Sequence, residues 1–165
     1  ALIPKQALTA NAKKIKVRYN YEHLRQLRND TVGSIALRFG CFDIFHQGRE
    51  AGLEFAADQA SILIVGLLDD RYVNRRKGAN RPVQDVLKRA EAIEQKEGVN
   101  GLFIVGGALD VVRSVWSLQP DVFIDRAEDP IRNIAARFIL WCDGINYTID
   151  RGPKLNSTTR IIGLD

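Results

Sequence analysis

The chain has 165 residues, 45% of them apolar and 27% charged, and a net charge of +4. That length suits one domain able to bury a core without disulfides or structural metals, and no apolar run approaches the ~20 residues of a membrane-spanning helix. Cys41 and Cys142 stand far apart in apolar surroundings, and with only two histidines a metal cluster is not expected. The positive charge suits nucleic acid and small phosphorylated molecules equally well, so charge alone does not choose.

Residues 1–20, polar and basic without periodicity, read as an N-terminal arm, and residues 21–165 as a single domain. The opening stretch lacks the charged start, apolar run and cleavage site of a secretory signal, so the expected location is cytoplasmic. A helix is expected over residues 21–28. From residue 34 onward, short β-rich runs alternate with amphipathic stretches, the pattern of βαβ units around a parallel sheet. The expected strands are IALRF (35–39), ILIVGL (62–67), LFIV (102–105), DVFI (121–124) and NYTI (146–149). Between them, REAGLEFAADQ, VLKRAEAIEQ, DVVRSVWSL and IRNIAARFILW carry apolar positions three or four apart and read as helices, with Gly98 and Pro120 marking helix ends. The fold class is therefore α/β, a Rossmann-like five-stranded parallel sheet with helices on both faces. In such a sheet ligands bind beyond the carboxyl ends of the strands.

Three segments follow strand ends. GCFDIFHQGRE (40–50) joins the first strand to a helix: Gly40 lets the backbone turn closely, Gly48 admits a phosphate near the chain, and the helix start offers free N–H groups. His46 sits beside that anion site or is a loop histidine that caps or packs. NSTTRII (156–162) offers Asn156 or Ser157 as an N-cap, with the hydroxyls of Ser157, Thr158 and Thr159 at a helix start. RRKGANRPVQDVLKR (75–89) carries Arg75, Arg76, Lys77, Arg81 and Arg89; such a run is either a solvated face or a phosphate-binding strip. Read as exposed loop cations, Lys77 and Arg89 contribute little to stability.

In this order and spacing, the three segments resemble the cytidylyltransferase-like nucleotidyltransferase superfamily, and within it the heptose-phosphate adenylyltransferases of lipopolysaccharide precursor synthesis, then glycerol-3-phosphate cytidylyltransferase. The resemblance covers about residues 20–163 and implies a nucleoside triphosphate with Mg²⁺, transfer of a nucleoside monophosphate to a sugar or polyol phosphate, release of pyrophosphate, and a homodimer. The family's H-x-G-H signature reads His46-Gln47-Gly48-Arg49 here, so the resemblance places His46 at the α-phosphate. Lys77 matches the lysine of the family's K-G step, and Arg89 its phosphate-binding arginine. Gly40, Cys41, Phe42, Asp43 and Gly48, with Ser157, Thr158 and Thr159, become the nucleotide-binding candidates, and Asp129 and Arg151 the substrate-binding ones. Asp43 either contributes to Mg²⁺ or stabilises a turn; the triphosphate supplies most of the metal's ligands, and no protein metal site is expected.

The chain departs from the family at Arg49, where the signature has its second histidine, and after the fourth strand, where Asp125-Arg126-Ala127-Glu128-Asp129-Pro130 replaces K-G-G-D-Y with only Asp129 in common. Arg49 still offers a permanent charge and a bidentate fork to phosphate. Two readings follow: an active nucleotidyltransferase using ATP or CTP with altered geometry at the α-phosphate, or a degenerate relative that binds nucleotide or sugar phosphate without turnover. A nucleic-acid module is not expected, because no recognition motif such as an RNP aromatic pair is present.

Overall fold

Five runs rich in β-branched and apolar residues pair as strands: β1 (Ile35–Gly40), β2 (Ile62–Leu68), β3 (Val99–Val105), β4 (Val122–Arg126) and β5 (Asn146–Asp150). Every residue of β2 is buried, the signature of a parallel strand covered on both faces. The computed structural model describes residues 21–44, 47–126, 138, 141, 142 and 144–152. The expected arm at 1–20, most of the expected helix at 131–141, and His46, Asp129, Asn156, Ser157, Thr158 and Thr159 lie outside the described residues.

The sheet order is β3-β2-β1-β4-β5, with every neighbour parallel. Starting in the middle, the chain builds outward through β2 and β3, then returns to the other side of β1 to add β4 and β5. The reversal puts a topological switch point between β1 and β4, where the loops that leave the two strands diverge and open a crevice.

Helices α1 (Tyr21–Asp30), α2 (Gln47–Ala57), α3 (Asp70–Lys77), α4 (Val86–Glu94) and α5 (Ala108–Leu118) flank the sheet. Side chains alternate across each strand, so the core divides in two. Leu24 of α1 and Val111, Val115 and Leu118 of α5 pack with Ile35, Leu37, Ile62 and Ile64 on one face. Leu53 and Ala56 of α2 and Ala90 and Ile93 of α4 pack with Ala36, Leu63, Val65 and Leu67 on the other. Each large apolar side chain buried here contributes about 1.5–3 kcal/mol. The chain is thus an α/β three-layer structure of the Rossmann-like kind.

The basic run beyond β2 differs from expectation: Arg75, Arg76 and Lys77 are not in a loop but form the last turn of α3. Only Tyr72 and Val73 of this helix are buried, too few to show periodicity. Its ends explain it instead. The Asp69 side chain caps the start by accepting from the Tyr72 amide at 2.6 Å, Gly78 ends it at φ 102°, and three cations complement the negative end of the helix dipole. Gln119, in the left-handed region at φ 47°, ends α5 one residue before Pro120, while Gly98, at φ 88°, turns the chain from α4 into β3.

Candidate functional site

The loop after β1 begins at Gly40, where the backbone meets an aromatic ring: a Cβ there would lie 2.5 Å from a ring carbon of Phe42. Phe42 and Ile44 both hold positive φ, 49° and 43°, a strained conformation for side chains of this kind that surrounding contacts must enforce. Asp43 supplies the largest share of that enforcement. Its carboxylate is fully buried and accepts from Arg81 Nε at 3.0 Å, the Val83 amide at 2.8 Å and the Gln84 amide at 2.9 Å. Both oxygens accept from protein donors, and these bonds tie the turn to the segment before α4.

Arg89 locks the same loop from below. It is not an exposed loop cation: it sits in α4 with its side chain 0% exposed. Nη1 donates to the Cys41 carbonyl at 2.6 Å, Nε to the Gln84 carbonyl at 3.0 Å, and Nη2 to Asp70 Oδ1 at 2.6 Å. One side chain thereby joins the β1 loop, the start of α3 and the start of α4. In this arrangement Nε, Nη1 and Nη2 each donate to a protein acceptor.

Around this frame, cations gather. Arg49, in the first turn of α2, lies with its guanidinium carbon 5.9 Å from the Phe42 ring centroid. Burial pushes its pKa down; Arg126 and Arg81 push the same way, while Cys41 and Asp43 oppose them. Lys77 is solvent-accessible, yet its ammonium is held below the ordinary lysine value, first by desolvation and then by the nearby charges of Arg49 and Arg81, with Cys41 and Asp43 acting in the opposite sense. Arg49 lies over Phe42 and Arg81 pairs with Asp43, so both sit at the loop from Cys41 to Asp43, and the charges of Lys77 and Arg126 are felt by this group. Mutual repulsion among cations is relieved by a polyanion, and a helix start such as that of α2 favours negative charge.

Beside this cluster a cleft of about 290 Å³ opens between α2 and the end of β5, lined in part by Gly52, Phe55, Arg126, Ile149 and Arg151. Arg151 is exposed at its rim. Beneath it, Arg38 of β1 is 5% exposed and donates from Nη1 to Asp150 Oδ2 at 2.9 Å and to the Gly52 carbonyl at 2.8 Å. Burial alone raises the Asp150 carboxyl, but the Gly152 amide and Arg38 outweigh it and hold the group below the usual carboxylate range.

Of the expected site residues, Gly40, Cys41, Phe42, Asp43, Arg49, Lys77 and Arg89 meet around the β1 loop, Gly48 lies in the first turn of α2, and Arg151 borders the adjoining cleft. Sequence reasoning passed over Arg126, although it ends β4 at the switch point, where the strand-end rule directs attention. It also passed over Arg38, a charge inside an apolar strand that requires a buried partner. That partner lies 112 residues away, and no local pattern points to it.

A family model described as cytidylyltransferase-like matches residues 37–162. Among curated relatives, the bifunctional protein HldE of Rhodopseudomonas palustris is 38% identical over 97% of this chain and 33% of its own length. The HldE of Gluconobacter oxydans is 38% identical over 74% of this chain and 26% of its own. The chain thus spans a quarter to a third of the length of these relatives. Among solved structures, the lipopolysaccharide core biosynthesis protein of Thermoplasma volcanium superposes with a TM-score of 0.61 at 21% identity, covering 75% of this chain and 99% of that one. A pantoate-beta-alanine ligase from Francisella tularensis superposes with a TM-score of 0.57 at 12% identity, covering 88% and 72%. At these identities the two structures attest the fold.

Proposed function

The chain belongs to the cytidylyltransferase-like family, and from that premise we propose that it transfers a nucleoside monophosphate from ATP or CTP to a sugar or polyol phosphate, releasing pyrophosphate. The observation that carries this reading is the set of cations at the strand ends beside the β1 loop: Arg49 over Phe42, Arg81 paired with Asp43, Lys77 at the end of α3 and Arg126 at the end of β4. Nucleotidyl transfer needs little covalent help: the protein aligns nucleophile and leaving group and stabilises charge on phosphate oxygens. In this reading Arg49 and Lys77 meet phosphates directly, while Asp43 and Arg89 keep the loop in shape. His46, Ser157, Thr158 and Thr159 join this assignment through the family motifs alone, and Asp129 and Arg151 are assigned to the acceptor.

Mg²⁺ fits this site as a companion of the triphosphate. The triphosphate would supply most of the ion's ligands. Bound to phosphate oxygens, the ion would neutralise charge on the leaving group. A second reading is favoured by one observation, the arginine at position 49: a relative that retains the phosphate site and binds nucleotide or sugar phosphate without turnover.

One experiment separates the two. The protein is incubated with ATP or CTP, Mg²⁺ and inorganic pyrophosphatase across a panel of sugar and polyol phosphates, and phosphate release is followed. Release with one triphosphate and acceptor pair is the expected result. Nucleotide binding without release from any pair would favour the second reading.

A further inference from the structure

Arg38 reaches across the sheet. Its register partner on β4 is Ile124, whose own partner on β5 is Thr148, so the guanidinium passes over β4 to meet Asp150 two residues further along β5. It lies on the face that α2 covers, and Nη1 also donates to the carbonyl of Gly52 in the middle of that helix. Gly52 leaves the room: a Cβ there would stand 2.9 Å from Arg38 Nη2 and 3.0 Å from Asp150 Oδ2. Asp150 Oδ1 in turn accepts from the Gly152 amide at 2.9 Å, fixing the first residues after β5. Three elements, β1, α2 and β5, are therefore tied at one buried ion pair.

Stability does not account for such a pair. Taking two charges out of water costs several kcal/mol per ion, and apolar side chains of similar volume are commonly as stabilising or more so. What an ion pair adds over an apolar contact is direction, because its hydrogen bonds hold at one geometry. The held geometry matters here. Arg49 lies three residues before Gly52, one helical turn toward the anion site, and Asp150 lines the cleft beside Arg126 and Arg151.

We propose that Arg38 and Asp150 are positioning residues: their ion pair seats α2 on β1 and β5 and so sets where Arg49 meets the phosphates of the substrate. The proposal rests on the nucleotidyl-transfer reading for its effect on turnover, but its geometric part does not. Buried at 5% exposure, Arg38 acts through Gly52 and the helix.

The test replaces both charges at once, as Arg38→Leu with Asp150→Leu, and compares this variant with the wild-type chain. Thermal unfolding, titration with magnesium pyrophosphate, amide exchange in α2 and steady-state turnover are measured together. The expected melting temperature is equal or higher. Amide exchange in the body of α2, residues 51–57, where the amides are held by intrahelical hydrogen bonds, speeds up, pyrophosphate binds about tenfold more weakly, and kcat falls on the order of 10²-fold, as for a group displaced by about 1 Å, with a smaller change in KM. A double variant that binds pyrophosphate, exchanges amides and turns over like the wild type would overturn the proposal. Asp150→Asn serves should the double variant not fold. Removing one negative charge strengthens the positive field, so tighter pyrophosphate binding with unchanged turnover would make the pair a matter of charge alone, whereas weaker binding supports positioning. If the wild type binds pyrophosphate but releases none from any triphosphate, the functional reading fails, and the titration and exchange data still decide the geometric claim.

Discussion

Arg89 and Asp43 grip one residue from opposite sides. Arg89 Nε donates to the Gln84 carbonyl at 3.0 Å, and Asp43 Oδ1 accepts from the Gln84 amide at 2.9 Å. The segment before α4 is thereby clamped to the β1 loop, and the strained backbone at Phe42 and Ile44 is held by partners brought from far along the chain. Arg81 adds a third tie by pairing with Asp43, the two side chains 5% and 0% exposed.

Removing either grip should loosen the loop before it touches any ligand. Asp43→Ala leaves the Arg81 charge buried without its partner, a change that costs about 3–5 kcal/mol. Arg89→Ala orphans the Cys41 and Gln84 carbonyls, at about 1–3 kcal/mol for each buried acceptor. Urea unfolding measures both. A loss below about 0.5 kcal/mol, the usual range for surface substitutions, would mean that the loop does not depend on them.

Lys77→Ala should behave in the opposite way. Its side chain is accessible at the end of α3, so stability changes by less than about 1 kcal/mol. Affinity for triphosphate should fall roughly 10- to 100-fold, the worth of a hydrogen bond to a charged group. Calorimetric titration with ATP and CTP beside an unfolding curve would show the dissociation; equal affinity in variant and wild type would return Lys77 to a solvated helix end.

The lowered ammonium pKa of Lys77 gives a pH signature with a definite sign. Between its folded value and the ordinary lysine value of 10.5, the unfolded chain holds more protons, so this residue's effect is to make folding more favourable as pH rises across that window. Anion binding runs the other way, because it needs the charged form. Pyrophosphate affinity should begin to decline at a pH below 10.5, and Lys77→Arg, charged throughout, should remove that decline. A decline identical in the arginine variant would assign the titration to another group.

Arg49 decides between turnover and binding alone. In an active enzyme Arg49→Ala should lower pyrophosphate release on the order of 10²-fold, the loss expected for a preorganised donor at a developing charge. Arg49→His restores the family's signature and tests alignment of the rest of the site. If the wild type is silent, activity gained by the histidine variant would identify position 49 as the sole lesion; continued silence would place the lesion elsewhere.

Strand β2 was legible because burial on both faces leaves an unbroken apolar run, ILIVGLL, the half-exposed β5 from its β-rich NYTI alone, and α2, α4 and α5 because their apolar stripes repeat. Helix α3 was not, since DRYVNRRK buries only Tyr72 and Val73; the capping Asp69 and terminal Gly78 were the signals available. Motif spacing placed Lys77 and Arg49 at the site. It could not distinguish an exposed cation from a buried one, because Arg89 and Lys77 look alike until α4 turns one of them under the loop. Arg38 and Asp150 were invisible as a pair for a simpler reason: their proximity is made by the sheet order and by nothing local.

That sheet order also sets a sequence of events during synthesis. β1 finds β2 after a single crossover, but its other edge stays open until β2, β3 and their helices have been laid down and β4 arrives. Until then Ile35–Gly40 presents a row of unpaired N–H and C=O groups along that edge, able to template pairing with another chain, and its closure is a non-local event of the kind that slows folding. The crevice that carries the cations is the seam where this closure happens. A nascent or cleaved chain ending before residue 122 would keep Arg49 and Lys77 yet lack the wall bearing Arg126, and would expose the adhesive edge in its place.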